Sequence, residues 1–136
     1  MDLEQYSIPM RGSGGAALTA QVRIEADAEG CRVTLAWDGE TLSAAAADYF
    51  DAFIVIRDAL AGRGIVPLCY GASRNVYPSG MSRSMGGGRK AYRMTLGQQA
   101  RLHDLVFIFD TGPDLDPASP EQQRAFFEEW FGSLSR

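Results

Sequence analysis

The sequence predicts an α+β fold: a mostly antiparallel sheet of about five to six strands with two helices packed on it, in the order βββαβββα, and a long loop after the fourth strand. Three observations predict it. Apolar and polar residues alternate with period two over 18–26 and 31–37, the period becomes helical from about residue 45, and the last eighteen residues form a capped amphipathic segment. With 136 residues and nearly half of them apolar, the chain is long enough to bury a continuous core and is read as one domain, residues 1–136.

After the glycine-rich Arg11–Gly15, Leu18, Ala20, Val22, Ile24 and Ala26 alternate with Thr19, Gln21, Arg23 and Glu25, the pattern of a half-buried strand. Cys31, Val33, Leu35 and Trp37 repeat it. Asp38-Gly39 then signals a two-residue hairpin, because a type I′ turn needs positive φ at both central positions. A third strand over about 40–44 completes a meander. Tyr49, Phe53, Ile56 and Leu60 fall at helical spacing, widened by Ala46, Phe50 and Ile54, and Gly62 and Gly64 stand where a left-handed cap would end that helix.

Residues 65–70 read as a strand in which Pro67 requires either an edge position or a place at the strand's beginning. The stretch 71–90 is too rich in Gly and Ser for one regular element and reads as an exposed loop. Lys90–Leu96 alternates again. Leu105–Phe109 is an uninterrupted apolar run, the signature of a strand covered on both faces, either central in the sheet or covered by the terminal helix. Ser119, Pro120 and Gln122 predict a helix start with a capping box, and Phe126, Phe127, Trp130, Phe131 and Leu134 are expected to pack as core, with a partner interface as the alternative.

Charge is unevenly distributed. Residues 71–103 carry Arg74, Arg83, Arg89, Lys90, Arg93 and Arg101 and no carboxylate, a +6 segment between two flanks of -5 each, in a chain of net charge -4. The acidic balance argues against a general nucleic-acid binder, which needs a broad positive footprint. No apolar run approaches the roughly twenty residues that span a bilayer. Asp2 and Glu4 stand where a secretory signal has a basic start, and Cys31 and Cys69 read as reduced, buried thiols, so a cytoplasmic protein is expected.

Few residues suggest chemistry. His103 is the only histidine and no motif sets a serine or cysteine beside it. The two cysteines lack metal-ligand spacing. Asp110, Asp114 and Asp116 faintly resemble a calcium loop, but Pro113, Pro117 and the missing closing glutamate break it, so a solvated turn is expected. Gly86-Gly-Gly-Arg-Lys90 lacks the Ser or Thr of a Walker loop, though its amides could form an anion nest. No catalytic residue, metal or cofactor is therefore assigned. Tyr, Met and Arg are the types enriched at protein interfaces, and they mark Tyr70, Arg74, Asn75, Tyr77, Met81, Arg83, Arg89 and Lys90 as candidate partner-binding residues.

Three stretches, Leu68–Met81, Gly87–Gly97 and Asp104–Asp110, together with Tyr49–Phe53, carry a resemblance to small bacterial proteins associated with immunity to polymorphic toxins of the Rhs and type VI secretion kind. The resemblance implies a non-enzymatic protein that binds and neutralises a cognate toxin, without a cofactor. The cationic loop would then enter a toxin pocket built for an anionic substrate, which requires its arginines to face solvent unpaired. The alternatives are a small phosphate-ligand or nucleotide site on the Gly/Arg-rich loop 71–90, and a scaffold domain with that loop as a linker. Oligomeric state is left open.

Overall fold

The computed structural model describes residues 4–135, so Asp2, one of the acids weighed against a secretory signal, lies outside the described residues. The fold is α+β: a five-stranded antiparallel sheet, a second sheet of three strands, and three α-helices. The strands are β1 (Glu4–Arg11), β2 (Ala17–Asp27), β3 (Gly30–Trp37), β4 (Glu40–Ala46), β5 (Val66–Pro67), β6 (Val76–Tyr77), β7 (Lys90–Arg93) and β8 (Leu105–Phe107). The helices are α1 (Tyr49–Ala61), α2 (Gly80–Gly86) and α3 (Pro120–Ser133). Strand orders are β4-β3-β2-β1-β5 and β6-β7-β8.

The alternating runs do what their period dictates. Ala20, Val22 and Ile24 of β2 and Val33, Leu35 and Trp37 of β3 turn to the core, while Thr19, Gln21 and Arg23 face water. Asp38 (φ 43°) and Gly39 (φ 78°) make the tight turn into β4. Phe50, Phe53, Ile56 and Leu60 of α1 are fully buried. The helix begins at Tyr49 rather than near Ala45, because Ala45 and Ala46 pair with Arg32 and Cys31 and continue the strand. Asp48 caps it, accepting from the Asp51 N–H at 2.8 Å.

One strand lacked a prediction. β1 pairs with β2 along its length, from Glu4↔Ile24 to Arg11↔Ala17. Pro9 does not break that ladder because its carbonyl points to the β5 side, where it accepts from the Leu68 N–H at 2.9 Å; the nitrogen points the same way, so no bond to β2 is lost. β5 is an edge strand, the first of the two positions open to Pro67.

The expected loop 71–90 is instead ordered structure. A 3-10 turn at Tyr70–Ala72 leads to β6, and Ser79 caps α2 by accepting from the Ser82 N–H. Gly87 (φ 67°) ends α2 and Gly88 (φ 75°) turns the chain into β7. A Cβ at Gly88 would come within 3.2 Å of the Phe50 backbone, so this glycine lets α2 seat against the start of α1. β7 ends at Arg93, short of the predicted Leu96. β8 is not a central strand covered on both faces: it is the edge of the smaller sheet and only half-buried. The apolar run has another cause, since Ile108 and Phe109 leave the strand and bury in the core.

α3 starts with the predicted capping box of Ser119 and Gln122. Its aromatic face is not core, however. Phe126, Phe127 and Trp130 are half-buried and Phe131 is exposed; the residue that anchors the helix is Gln123, with no exposed surface at all. Its Nε2 donates to the Gly71 and Ser73 carbonyls at 3.0 and 2.9 Å, and its Oε1 accepts from Arg57 of α1 at 2.8 Å. Arg57, only 3% exposed, also donates to the Ala118 carbonyl at 2.9 Å. Burial depresses its pKa to about 10.

This network predicts that Gln123→Leu, though more apolar, lowers stability by about 3 kcal/mol because it strands a buried guanidinium and two buried carbonyls. Phe131→Ala should stay within about 0.5 kcal/mol of wild type. Urea unfolding of both variants measures the difference.

Candidate functional site

The expectation of a free cationic loop is overturned, because the fold's own carboxylates neutralise its arginines. Arg74 bonds Asp116 at 3.1 Å and Arg93 bonds Asp114 at 3.3 Å. Arg89 bonds Glu4 at 2.5 Å, tying β7 to β1. Arg83 of α2 reaches Asp48 at 2.8 Å and Asp51 at 2.9 Å, clamping the N-terminus of α1 while its guanidinium lies over the Phe50 and Tyr77 rings. Burial opposes the charge on Arg83, but the two aspartates outweigh it and hold its pKa above the ordinary arginine value. Among the described residues, only Lys90 and Arg101 of the six cations have no carboxylate within ion-pair distance.

The candidate residues therefore separate. Tyr70, Arg74 and Asn75 belong to a seam between two segments of the same chain, with the Arg74–Asp116 pair at its solvent-exposed border. The Tyr70 hydroxyl donates to Asp114 at 2.9 Å, the Asn75 side-chain oxygen accepts from Ser73, and the Asn75 carbonyl accepts from the Met94 N–H. The aspartates of 110–117 are thus not only a solvated turn: Asp114 and Asp116 hold the seam together. No cluster of three or more metal-ligating side chains occurs among the described residues. His103 is exposed beside Asp104. Cys69 is buried, which pushes its thiol up to about 12, and Cys31 is half-buried.

The amides counted on for an anion nest are also engaged. The Gly87 and Gly88 N–H groups both point to the Ser82 carbonyl, the latter at 3.0 Å, and the Arg89 N–H donates to Gly86. The phosphate reading loses these backbone donors.

Tyr77, Met81, Arg89 and Lys90 fall together on one face. Met81, Met85, Tyr92 and Phe107, with Arg89 and Lys90, line a groove of about 540 Å³ between α2 and the small sheet. Met81 and Tyr92 also line a second groove of about 490 Å³, completed by Tyr77, Trp130, Phe131 and Leu134. The face is apolar and open: Met81 is 70% exposed, Met85 81% and Phe131 66%. Pairing sets its floor, since Tyr77↔Tyr92↔Leu105 puts those three side chains on one side of the sheet. Phe127 stacks on Tyr77 at 4.3 Å and Trp130 Nε1 donates to the Gln98 carbonyl, which hold the helix end over it. Of these residues sequence reasoning named Tyr77, Met81, Arg89 and Lys90, left Met85 outside the candidate set although it stands among the same interface-type residues, missed Tyr92, and read Trp130, Phe131 and Leu134 as core with a partner interface as the alternative. The signal lay in α2: Met81 and Met85 at i, i+4 form a stripe on one face of a short helix.

No family model matches the chain, and no match is found among curated proteins. The resemblance to toxin-immunity proteins rests on the residues quoted for it. Among the described residues no helix is long and apolar enough to cross a membrane.

Two predictions follow from the ion pairs. Arg83→Met leaves the buried Asp48 without its cation and should cost about 2–3 kcal/mol, whereas Arg74→Met, at a solvent-exposed pair, should cost under about 1 kcal/mol; chemical denaturation separates them. The hydrogen bond from Tyr70, reinforced by Arg93, holds the Asp114 carboxyl below its ordinary pKa. Its contribution is complete above the unfolded value near 3.9 and is lost as pH falls through the folded value. The stability gap between wild type and Asp114→Asn, measured by urea titration, should be open at neutral pH and close in strong acid.

Proposed function

We propose that this chain is a non-catalytic protein-binding domain, an immunity protein that neutralises a cognate bacterial toxin by occupying it. The observation that carries the reading is the open methionine and aromatic face of Met81, Met85, Tyr92 and Phe131. Exposed apolar patches of this kind mark interaction sites, and thioether and aromatic side chains adapt to and bury large areas at protein contacts. The toxin as partner comes from the resemblance; contact through this face comes from geometry.

The contact surface differs from the one expected of the loop. Arg74, Arg83, Arg89 and Arg93 are spent inside the molecule, so recognition by a free arginine cluster has no support. Lys90, beside the first groove, and Arg101, next to Ala100 of the second, are the cations left to guide a partner. The matching toxin surface is an apolar anchor flanked by carboxylates, with the anchor supplying affinity and the charges orientation.

The product of the adjoining reading frame, co-expressed with this chain, tests the reading. Growth inhibition by that product should be relieved by wild type and by Arg74→Met. The double variant M81D/M85D should fold normally yet weaken binding by about 100-fold, read by titration calorimetry, and lose protection. A variant that protects as well as wild type would remove this face as the interface.

A further inference from the structure

The strand edges of this fold are protected unequally. β5 has two residues, one of them Pro67; β6 has two and β8 three. β5 pairs with β1 only at Met10 and Arg11, and the rest of that edge lies against the second sheet, where Arg89 bonds Glu4 and Tyr6 packs on Phe107. β4 has neither protection. It runs for seven residues at the end of the large sheet, its pairing with β3 is uninterrupted by any bulge, and residues 41–47, Thr-Leu-Ser-Ala-Ala-Ala-Ala, contain no charge and no proline. Natural sheets normally blunt such an edge.

The hairpin geometry shows which groups that edge presents. A two-residue turn makes Trp37 and Glu40 the closing hydrogen-bonded pair, so Glu40, Leu42, Ala44 and Ala46 direct their backbone groups to β3. Thr41, Ser43 and Ala45 direct theirs outward, and none of these has another backbone partner among the described residues. We infer that two copies of this chain pair antiparallel through β4, centred on Ser43, to make one continuous ten-stranded sheet.

The edge is self-complementary in that register. Ser43 meets Ser43 of the second copy and Thr41 meets Ala45, all as hydrogen-bonded pairs, so every outward N–H and C=O finds a partner. On the helix side Leu42 meets Ala44, and Glu40, held by Arg63 at 2.7 Å, meets the neutral Ala46. No like charges oppose each other. The helix above is suited as well. The Arg57 flank of α1 faces α3, and the second sheet sits on the β1 side of the first, where Tyr6 packs on Phe107 and Phe109. The opposite flank of α1 therefore overlooks the β4 edge, and it carries Ala52, Val55 and Ala59, with Val55 54% exposed.

Sedimentation velocity across a concentration series tests this on the full chain. Wild type should be a dimer. Two variants share Ala45→Glu, whose carboxylate faces Arg32 across the hairpin. T41K/A45E puts opposite charges across the two-fold axis at both ends of the contact, and T41E/A45E puts like charges there. The second should dimerise about tenfold more weakly than the first, with the difference shrinking at high salt. A monomeric wild type, or equal dimer constants for the two variants, would overturn the inference. Hydrogen exchange gives an independent readout on the unmodified chain: the Thr41, Ser43 and Ala45 amides should be protected at high concentration and exposed on dilution, and fast exchange at both would equally overturn it.

Discussion

The arrangement depends on a guanidinium held in the interior by neutral partners. Arg57 sits on the buried flank of α1, where removing its charge from water is costly, and the fold supplies the Gln123 side-chain oxygen and the Ala118 carbonyl rather than a carboxylate. Gln123 in turn bonds the Gly71 and Ser73 carbonyls, so one amide joins α1, the 3-10 turn after β5 and α3. Gly71 is needed at that junction, since a Cβ there would meet Ile108 at 3.0 Å. Because α3 is fastened by a polar residue near its start, its aromatic end does not have to enter the core, and the grooves beside α2 stay open.

The charge asymmetry along the chain has a structural meaning. The positive segment lies between two acidic ones in sequence and is clasped by both in space: Glu4, Asp48 and Asp51 come from the first flank, Asp114 and Asp116 from the second. Complementary charge thus serves assembly within the molecule, and an electrostatic signature read as a recognition surface is mostly an internal adhesive. What the ion pairs leave open is mostly apolar, with Lys90 and Arg101 at its border.

Where local period and turn chemistry decided the structure, it was legible: β2, β3, the Asp38-Gly39 turn, α1 and the Ser119 cap all follow from residues near in sequence. Long-range effects were not. β1 hides behind Pro9, whose harmlessness depends on which strand its carbonyl faces. α2 is seven residues between glycines, below the length at which helical period can be recognised, and its order comes from Ser79 and from Arg83 gripping α1. The aromatic residues of α3 look like core because nothing in their spacing shows that a glutamine has already taken the buried position. Half of the candidate set, Tyr77, Met81, Arg89 and Lys90, converges on the open face. Tyr70, Arg74, Asn75 and Arg83 are structural because they bond partners distant in sequence: Asp114, Asp116, Met94 and Asp48 respectively.

The hold on α3 has a consequence for how such a protein can change. Gln123 lies in the opening turn of the helix, whereas Phe131 and Leu134 lie beyond two further turns, and the methionines of α2 project from a helix seated by other residues. Mutations at the exposed positions leave the interior untouched. Substitutions can therefore accumulate on this surface while the molecule keeps folding, and under the proposed binding role its specificity would change one substitution at a time without passing through unstable intermediates.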